Sequence, residues 1–294
     1  MANANTYITF LLKALGAVSR KLSINPRTAL GRTVGTLLEK ASRKRYEITL
    51  GNIRAAFPEK NTEWHRDIAF KSYQNLGITL VELLAFPSLS DEDIADYIKY
   101  ENVGLLKEMH AKGRGLILLS GHYGNWEMLA YSAGLFSKLP VSIIVKPQQN
   151  IYADRLLNQY RTQRGNQVIP MHNAARSIIQ KLRSGESIAL LADQSATGHK
   201  DIFVDFFGRP AATYEAPAAL ALRFKTPIVI GFAERQPDGR YYVKLSEIPH
   251  NDLENTPEGI RELTQRHVQI LENAIRRRPE LWSWQHRRWK HQPK

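Results

Sequence analysis

Beyond Pro87, short apolar runs rich in β-branched residues alternate with stretches of helical spacing, and that alternation restricts the chain to a small set of folds. The runs at residues 115–119, 141–145, 187–191, 227–232 and 241–245 read as strands. Helical stretches lie between and after them, around residues 126–136, 152–163, 173–183, 214–224 and 257–278. Strands and helices in alternation bury their apolar faces by laying parallel strands side by side beneath the helices. The expected fold is α/β, a mostly parallel sheet flanked by helices. Residues 26–86 precede it with a helical pattern, clearest where Ala69, Tyr73, Leu76, Leu80 and Leu83 recur at steps of four, three, four and three. The sheet therefore has a helical N-terminal lead-in.

A chain of 294 residues can bury a sizeable core as one domain, here taken as residues 25–294. Ahead of it, residues 1–24 read as an amphipathic, membrane-associating helix. Ile8, Leu11, Leu12, Leu15 and Leu22 recur at helical spacing, but Lys13, Arg20 and Lys21 interrupt the run. That leaves it short of the ~20 apolar residues a spanning helix needs. Such a helix lies in a bilayer interface or packs on the protein's own core. No basic leader followed by a small-residue cleavage site marks a secretory signal. With no cysteine, the chain has no disulfide framework, thiolate nucleophile or cysteine-ligated metal site. A net charge of +13 attracts anionic partners: acidic lipid, acidic carrier protein, phosphate or nucleic acid.

The chemistry concentrates in Gly115-Leu-Ile-Leu-Leu-Ser-Gly-His-Tyr-Gly-Asn-Trp-Glu127, an apolar strand running into a small-residue turn and then a helix. In open α/β sheets ligands bind at the carboxyl ends of strands, where this turn places His122. Within one regular helix His122 and Glu127 would diverge by about 140°, at ~100° per residue, so they meet only if His122 precedes the helix. A carboxylate accepting the imidazole Nδ1–H fixes the tautomer and leaves Nε2 free to take a proton from a hydroxyl. Taken alone, a His and a Glu five apart are common and more often have a purely structural role.

Several motifs in order carry a family likeness. His122-Tyr-Gly-Asn-Trp-Glu127 resembles the His-x4-Asp/Glu motif of glycerolipid and lipid A acyltransferases, and Ser120-Gly-His-Tyr-Gly-Asn-Trp-Glu127 the form found in late lipid A acyltransferases. Asn52-Ile-Arg-Ala-Ala-Phe-Pro-Glu59, Ala192-Asp-Gln194, Phe203-Val-Asp-Phe-Phe-Gly-Arg-Pro-Ala211 and Arg278-Pro-Glu-Leu-Trp-Ser-Trp-Gln-His-Arg-Arg-Trp-Lys290 are similar to further segments of that family. The resemblance spans about residues 46–290. It implies transfer of a fatty acyl chain from an acyl carrier protein thioester, or acyl-CoA, to a hydroxyl of an anionic lipid A precursor at the cytoplasmic face of the inner membrane. No cofactor and no metal are implied.

On that reading His122 is the general base and Glu127 its orienting carboxylate. A tetrahedral intermediate needs cationic or N–H donors for its oxyanion. Arg164 is the first candidate and Arg161 the second; Asp193 and Gln194 are candidates to position the acceptor or to support His122, and Arg209 is a candidate to bind a substrate phosphate. Phe206, Phe207 and Trp126 are candidate acyl-channel residues, although aromatic pairs beside a glycine more often simply pack. Trp282, Trp284 and Trp289, interleaved with arginines, suit a phospholipid-facing surface and equally a nucleic-acid surface. His172 and His199 read as polar loop residues. The N-terminal segment is less apolar than the single anchor expected of the family, so peripheral attachment through the helix and the basic surface is expected.

Two rival readings stand beside this one. A related acyltransferase could act on another lipid or glycolipid hydroxyl, which the motifs do not distinguish. A non-catalytic basic membrane- or RNA-binding protein would explain the charge and aromatic tail, but not the His122 turn, and no nucleic-acid-binding signature is present.

Overall fold

The computed structural model describes residues 4–196 and 201–293, apart from the side chains of residues 4–9, 173 and 201. His199 and the side chain of Ile8 lie outside the described residues. Four helices lead the chain: α1 (Ala4–Arg20), α2 (Ile24–Ala41), α3 (Arg43–Ala56) and α4 (Thr62–Leu83). Asn61 starts α4 by accepting the Trp64 N–H, satisfying one of the orphan donors of the first turn. Helices α2 and α4 cross at near backbone contact through glycines: a Cβ on Gly35 would stand 2.3 Å from the Tyr73 carbonyl oxygen. Any larger residue there separates the two helices.

Next come α5 (Asp91–Tyr97), β1 (Ile98–Glu101), α6 (Gly104–His110), β2 (Leu116–Ser120), α7 (Trp126–Ser137) and β3 (Val141–Val145). They are followed by α8 (Ile151–Thr162), β4 (Gln167–Pro170), α9 (Ala174–Arg183) and β5 (Ser187–Leu191). A hairpin of β6 (Asp201–Asp205) and β7 (Pro210–Tyr214) precedes α10 (Ala216–Phe224), β8 (Ile228–Arg235), β9 (Tyr241–Glu247) and α11 (Pro257–Arg277). The main sheet has the order β1-β9-β8-β2-β5-β3-β4. Strands β8, β2, β5, β3 and β4 run parallel, while β9 is antiparallel to β8 and parallel to β1. The expected α/β architecture is the one observed.

Both sheet faces are covered, which is why the inner strands are nearly continuous in apolar residues. On one face Ile117, Leu119, Ile188 and Ile230 pack with Leu222, Leu263, Val268 and Leu271 of α10 and α11. On the other, Leu116, Val229 and Val243 pack with Ile94, Leu106, Met128 and Tyr131. Each such aliphatic side chain contributes about 1.5–3 kcal/mol when fully buried. The rigid sheet fixes the rim at which β2 and β5 end. Among the described residues, no helix is long and apolar enough to cross a membrane.

Candidate active site

Strand β2 ends at Ser120, and residues 121–125 turn the chain before α7 begins. The turn is held from several sides. The Gly124 N–H donates to the Leu281 carbonyl (2.9 Å), the Asn125 N–H to Ala233 (3.0 Å), and the Ser283 N–H to His122 (2.9 Å). Gly124 has a φ of 62°, and a Cβ there would lie 1.8 Å from the Ala233 carbonyl oxygen, so only glycine fits. Asn125 caps α7 by accepting the Met128 N–H (2.8 Å), and its amide donates to the buried Glu82 (2.6 Å). Glu82 also accepts from Tyr97, Tyr241 and both terminal nitrogens of Arg235. A fully bonded buried carboxylate of this kind pins the turn to α4, α5, β8 and β9.

The imidazole is oriented from the neighbouring strand. Ser120 and Leu191 are register partners in the parallel β2–β5 pair, so the residues two places beyond each, His122 and Asp193, meet on the rim. His122 Nδ1 lies 2.8 Å from Asp193 Oδ1. Asp193 Oδ2 accepts the His122 main-chain N–H and the Trp282 indole N–H, each at 2.8 Å. The carboxylate is 3% exposed. Burial by itself would raise its pKa, but the His122 imidazole and the donated N–H bonds override that and hold it down to about 2. Burial would likewise lower the pKa of His122, and the Asp193 charge outweighs it, so the imidazole is raised. About a quarter of the His122 side chain remains open, with the Gln194 amide nitrogen 3.4 Å from Nε2 and the Trp126 ring edge-on at 5.2 Å. This arrangement supplies an ionised carboxylate, a fixed tautomer and an accessible ring nitrogen.

A second charge pair flanks the imidazole. Arg161 donates from Nε and Nη2 to the two oxygens of Glu127, at 3.0 and 2.6 Å, in a bidentate fork. Both charges act on His122, Glu127 raising its pKa and Arg161 lowering it.

The family described as bacterial lipid A biosynthesis acyltransferase matches residues 2–291. The chain belongs to that family. The lipid A biosynthesis lauroyltransferase of Escherichia coli (strain K12) is 24% identical over 270 residues, covering 90% of this chain and 85% of that protein. The palmitoleoyltransferase of the same strain is 24% identical over 265 residues, with the same coverage of 90% and 85%. The phosphatidylinositol mannoside acyltransferase of Mycobacterium tuberculosis (strain CDC 1551 / Oshkosh) is 29% identical over 161 residues, covering 51% of this chain and 49% of its own.

In this acyltransferase several expected site residues sit where the sequence suggested, but with other partners. Glu127 does not orient His122: its two oxygens face Arg161, and Asp193 takes the imidazole Nδ1. The reason is geometric, because Glu127 lies in the first turn of α7 and points toward α8, whereas His122 precedes the helix and points toward β5. Of the two arginine candidates, the structure brings Arg161 to the site. Arg164 instead bonds Asp91, the Leu89 carbonyl and Tyr131, tying the end of α8 to the start of α5. Gln194 is on the rim beside the imidazole, as its strand-end position suggested.

Phe206 and Phe207, expected near an acyl channel, are 0% and 6% exposed within an aromatic cluster that includes Phe57, Trp282, Trp284 and Trp289. Arg209 lies over the Trp289 ring. The tryptophan-rich tail is likewise interior: Trp282 and Trp284 are buried, and Arg288 donates to the Ala212 carbonyl and the Thr213 hydroxyl. Burial pushes the Arg288 guanidinium down to about 10. A residue the sequence reading did not single out is His286, whose Nε2 accepts the Ser195 N–H (3.1 Å). Burial holds its pKa down at about 4 despite Asp193, so it is neutral and braces the chain just beyond Asp193. Its place in the tail motif was the only available signal.

Proposed function

We propose that this acyltransferase moves a fatty acyl chain from an acyl carrier protein thioester, or from acyl-CoA, to a hydroxyl of a lipid A precursor at the cytoplasmic face of the inner membrane. The observation that carries the reading is the Asp193–His122 pair, which holds the Nδ1 proton and leaves Nε2 as base. His122 Nε2 takes the proton of the acceptor hydroxyl as its oxygen attacks the thioester carbonyl carbon. The carbonyl oxygen becomes an oxyanion near the Arg161 guanidinium, which Glu127 positions. Collapse restores the carbonyl, breaks the carbon–sulfur bond and releases a thiolate, which the imidazolium protonates. No covalent enzyme intermediate is needed.

The family match and the names of the full-length relatives favour a lipid A precursor as acceptor, and the net charge of +13 suits an acidic carrier protein and an anionic lipid. The match to a phosphatidylinositol mannoside acyltransferase favours a second reading, another glycolipid hydroxyl as acceptor. Peripheral attachment is supported by α1, on which Phe10, Leu11 and Val18 are exposed while Leu12 and Leu15 pack inward. High salt is expected to release part of the protein from membranes; full retention through high salt and alkaline carbonate would sink peripheral attachment.

The deciding assay supplies labelled acyl carrier protein or acyl-CoA with tetra-acylated lipid A precursor or phosphatidylinositol mannoside, for wild type and His122→Ala. Transfer to the lipid A precursor that His122→Ala loses supports the first reading. Transfer only to the mannoside supports the second. Full activity of His122→Ala removes the general-base assignment.

A further inference from the structure

The carboxyl rim that carries His122 continues into a surface with a different character. Val145 and Pro170 are register partners at the ends of β3 and β4, so Lys146 and Met171 stand side by side where the strands stop. Helix α8 opens five residues later with Ile151 and Tyr152, each 54% exposed, and Met171 is 43% exposed. Arg155 follows one turn beyond Ile151, and Arg176 lies in the first turn of α9, just after Met171. Lys146, Arg155 and Arg176 are exposed, and none enters an ion pair among the described residues. From residue 141 to 183 the chain has seven Lys and Arg but only one acid, Asp154, so this segment holds nearly half of the net charge of +13.

Large apolar side chains held in water mark a contact surface, and a ring of unpaired cations specifies its chemistry. Anionic headgroups above acyl chains satisfy both at once, the cations pairing with phosphates and the apolar side chains entering the headgroup boundary. Strands β3 and β4 are two and three steps from β2, so at ~4.8 Å per step the patch lies roughly 10–14 Å across the rim from His122. A lipid resting against it has its polar head on the same rim as the imidazole. We propose that Lys146, Ile151, Tyr152, Arg155, Met171 and Arg176 form a docking surface for an anionic phospholipid bilayer, sharing no residue with α1, that turns the open side of His122 toward the headgroup layer. The purpose assigned to this surface rests on the acyl-transfer reading above; its existence does not.

The test is co-sedimentation of the full chain with vesicles of phosphatidylglycerol and phosphatidylcholine in equal parts, without acyl donor, so that it reads docking whether or not transfer is observed. The triple variant Lys146→Gln/Arg155→Gln/Arg176→Gln is expected to lose about a hundredfold of its partition. The variant Ile151→Ser/Tyr152→Ser/Met171→Ser is expected to lose about tenfold or more. Both should keep the wild-type melting temperature, since every altered side chain is exposed. Phe10→Ser/Leu11→Ser tests α1 by itself and should leave rim-dependent binding measurable. Wild-type partition in both rim variants would overturn the proposal, as would failure of the wild-type chain to bind these vesicles. Rim variants that bind vesicles normally but lose affinity for acyl carrier protein would make this a protein-docking surface and overturn it equally.

Discussion

Replacing Asp193 by Asn leaves shape and volume almost unchanged and alters only what the two side-chain atoms donate or accept. In the native site Oδ2 accepts two N–H groups, from the His122 main chain and Trp282, and Oδ1 faces the imidazole Nδ1. An asparagine has one acceptor oxygen for these three donors. If that oxygen serves the imidazole, the amide NH2 confronts two buried N–H groups, and each donor left unpaired costs about 1–3 kcal/mol. If it serves the two donors instead, the NH2 faces Nδ1 and the ring proton moves to Nε2. The second arrangement leaves fewer donors unpaired and should dominate. His122 then presents a proton where the acceptor hydroxyl needs a base. Loss of a positioned base with the correct tautomer costs about 10²- to 10⁴-fold in rate, or roughly 3–5.5 kcal/mol of barrier. The assay is the initial rate of acyl transfer at saturating donor and acceptor, with thermal melting as a fold control. The pH profile supplies a second reading. As the proposed general base His122 must be neutral to act, and Asp193 raises its pKa, so the acid limb of wild-type kcat/KM should lie above 6.5, the ordinary imidazole value. Residual activity in Asp193→Asn should show that limb shifted to lower pH. A variant that folds and retains more than about a tenth of the wild-type kcat, with an unmoved acid limb, would refute the tautomer argument.

Three further outcomes follow from the same geometry. Glu82→Gln leaves the buried Arg235 guanidinium without a balancing charge, so chemical denaturation should show a loss of about 3–5 kcal/mol, and unchanged stability would refute the pinning role. Gly124→Ala places a methyl group against the Ala233 carbonyl at a φ that disfavours it, so transfer should collapse together with a loss of at least about 1–3 kcal/mol; normal activity would show that the turn is not rigid. Arg161→Lys, which keeps a cation beside the buried Glu127 but loses the two-pronged fork, should cost transfer more than stability, whereas Arg164→Ala, which breaks bonds to Asp91, Leu89 and Tyr131, should lower the melting temperature with less effect on kcat. The reverse pattern would return Arg164 to the site.

Asp193 and His122 contribute to stability with opposite dependences on pH. The native carboxyl of Asp193 is held at about 2, so its contribution to stability is present above the ordinary carboxylate range and is lost as pH falls through that value. His122 has a raised native pKa, so its contribution is full below the ordinary imidazole value and fades as pH rises through the native one. The pair as built is strongest in the interval where the carboxylate is ionised and the imidazole still charged. On the proposed general-base role the imidazole must be neutral, which puts the working pH on the declining side of that contribution.

How far the sequence reveals the fold follows from where each strand sits. Strands β2, β3, β5 and β8 lie inside the sheet, are covered on both faces and consequently announce themselves as apolar runs. Strands β1 and β4 are the two edges, four residues each and half exposed, and Ile98-Lys-Tyr-Glu101 and Gln167-Val-Ile-Pro170 carry too few apolar residues to stand out. The β6–β7 hairpin is absent from the strands legible in the sequence, because its strands flank an aromatic turn that is buried by the distant Trp282 and Trp289. The tail tryptophans mislead for the same reason: arginine beside tryptophan suits a membrane surface, and it equally suits a core in which Arg288 spends its donors on the carbonyl and hydroxyl of β7.

The carboxylate that faces His122 shows most sharply what spacing along a chain cannot supply. The five-residue interval between His122 and Glu127 selects a pair of residues without specifying which ring nitrogen or which oxygen faces which. That is decided by the register of β2 against β5, a contact across 71 residues that aligns Ser120 with Leu191 and brings Asp193 under the imidazole. Once Asp193 holds Nδ1, the charge of Glu127 is free to grip Arg161, and one motif carboxylate faces the cation while a second, just beyond the end of β5, faces the imidazole. Such a division of labour predicts non-equivalence. Glu127→Gln, which still accepts one N–H bond from Arg161, should weaken transfer with the acid limb shifted only modestly, whereas Asp193→Asn should move the limb and the rate together. Identical pH profiles for the two variants would mean that both carboxylates act on the imidazole directly and that the register argument assigns the base's partner wrongly.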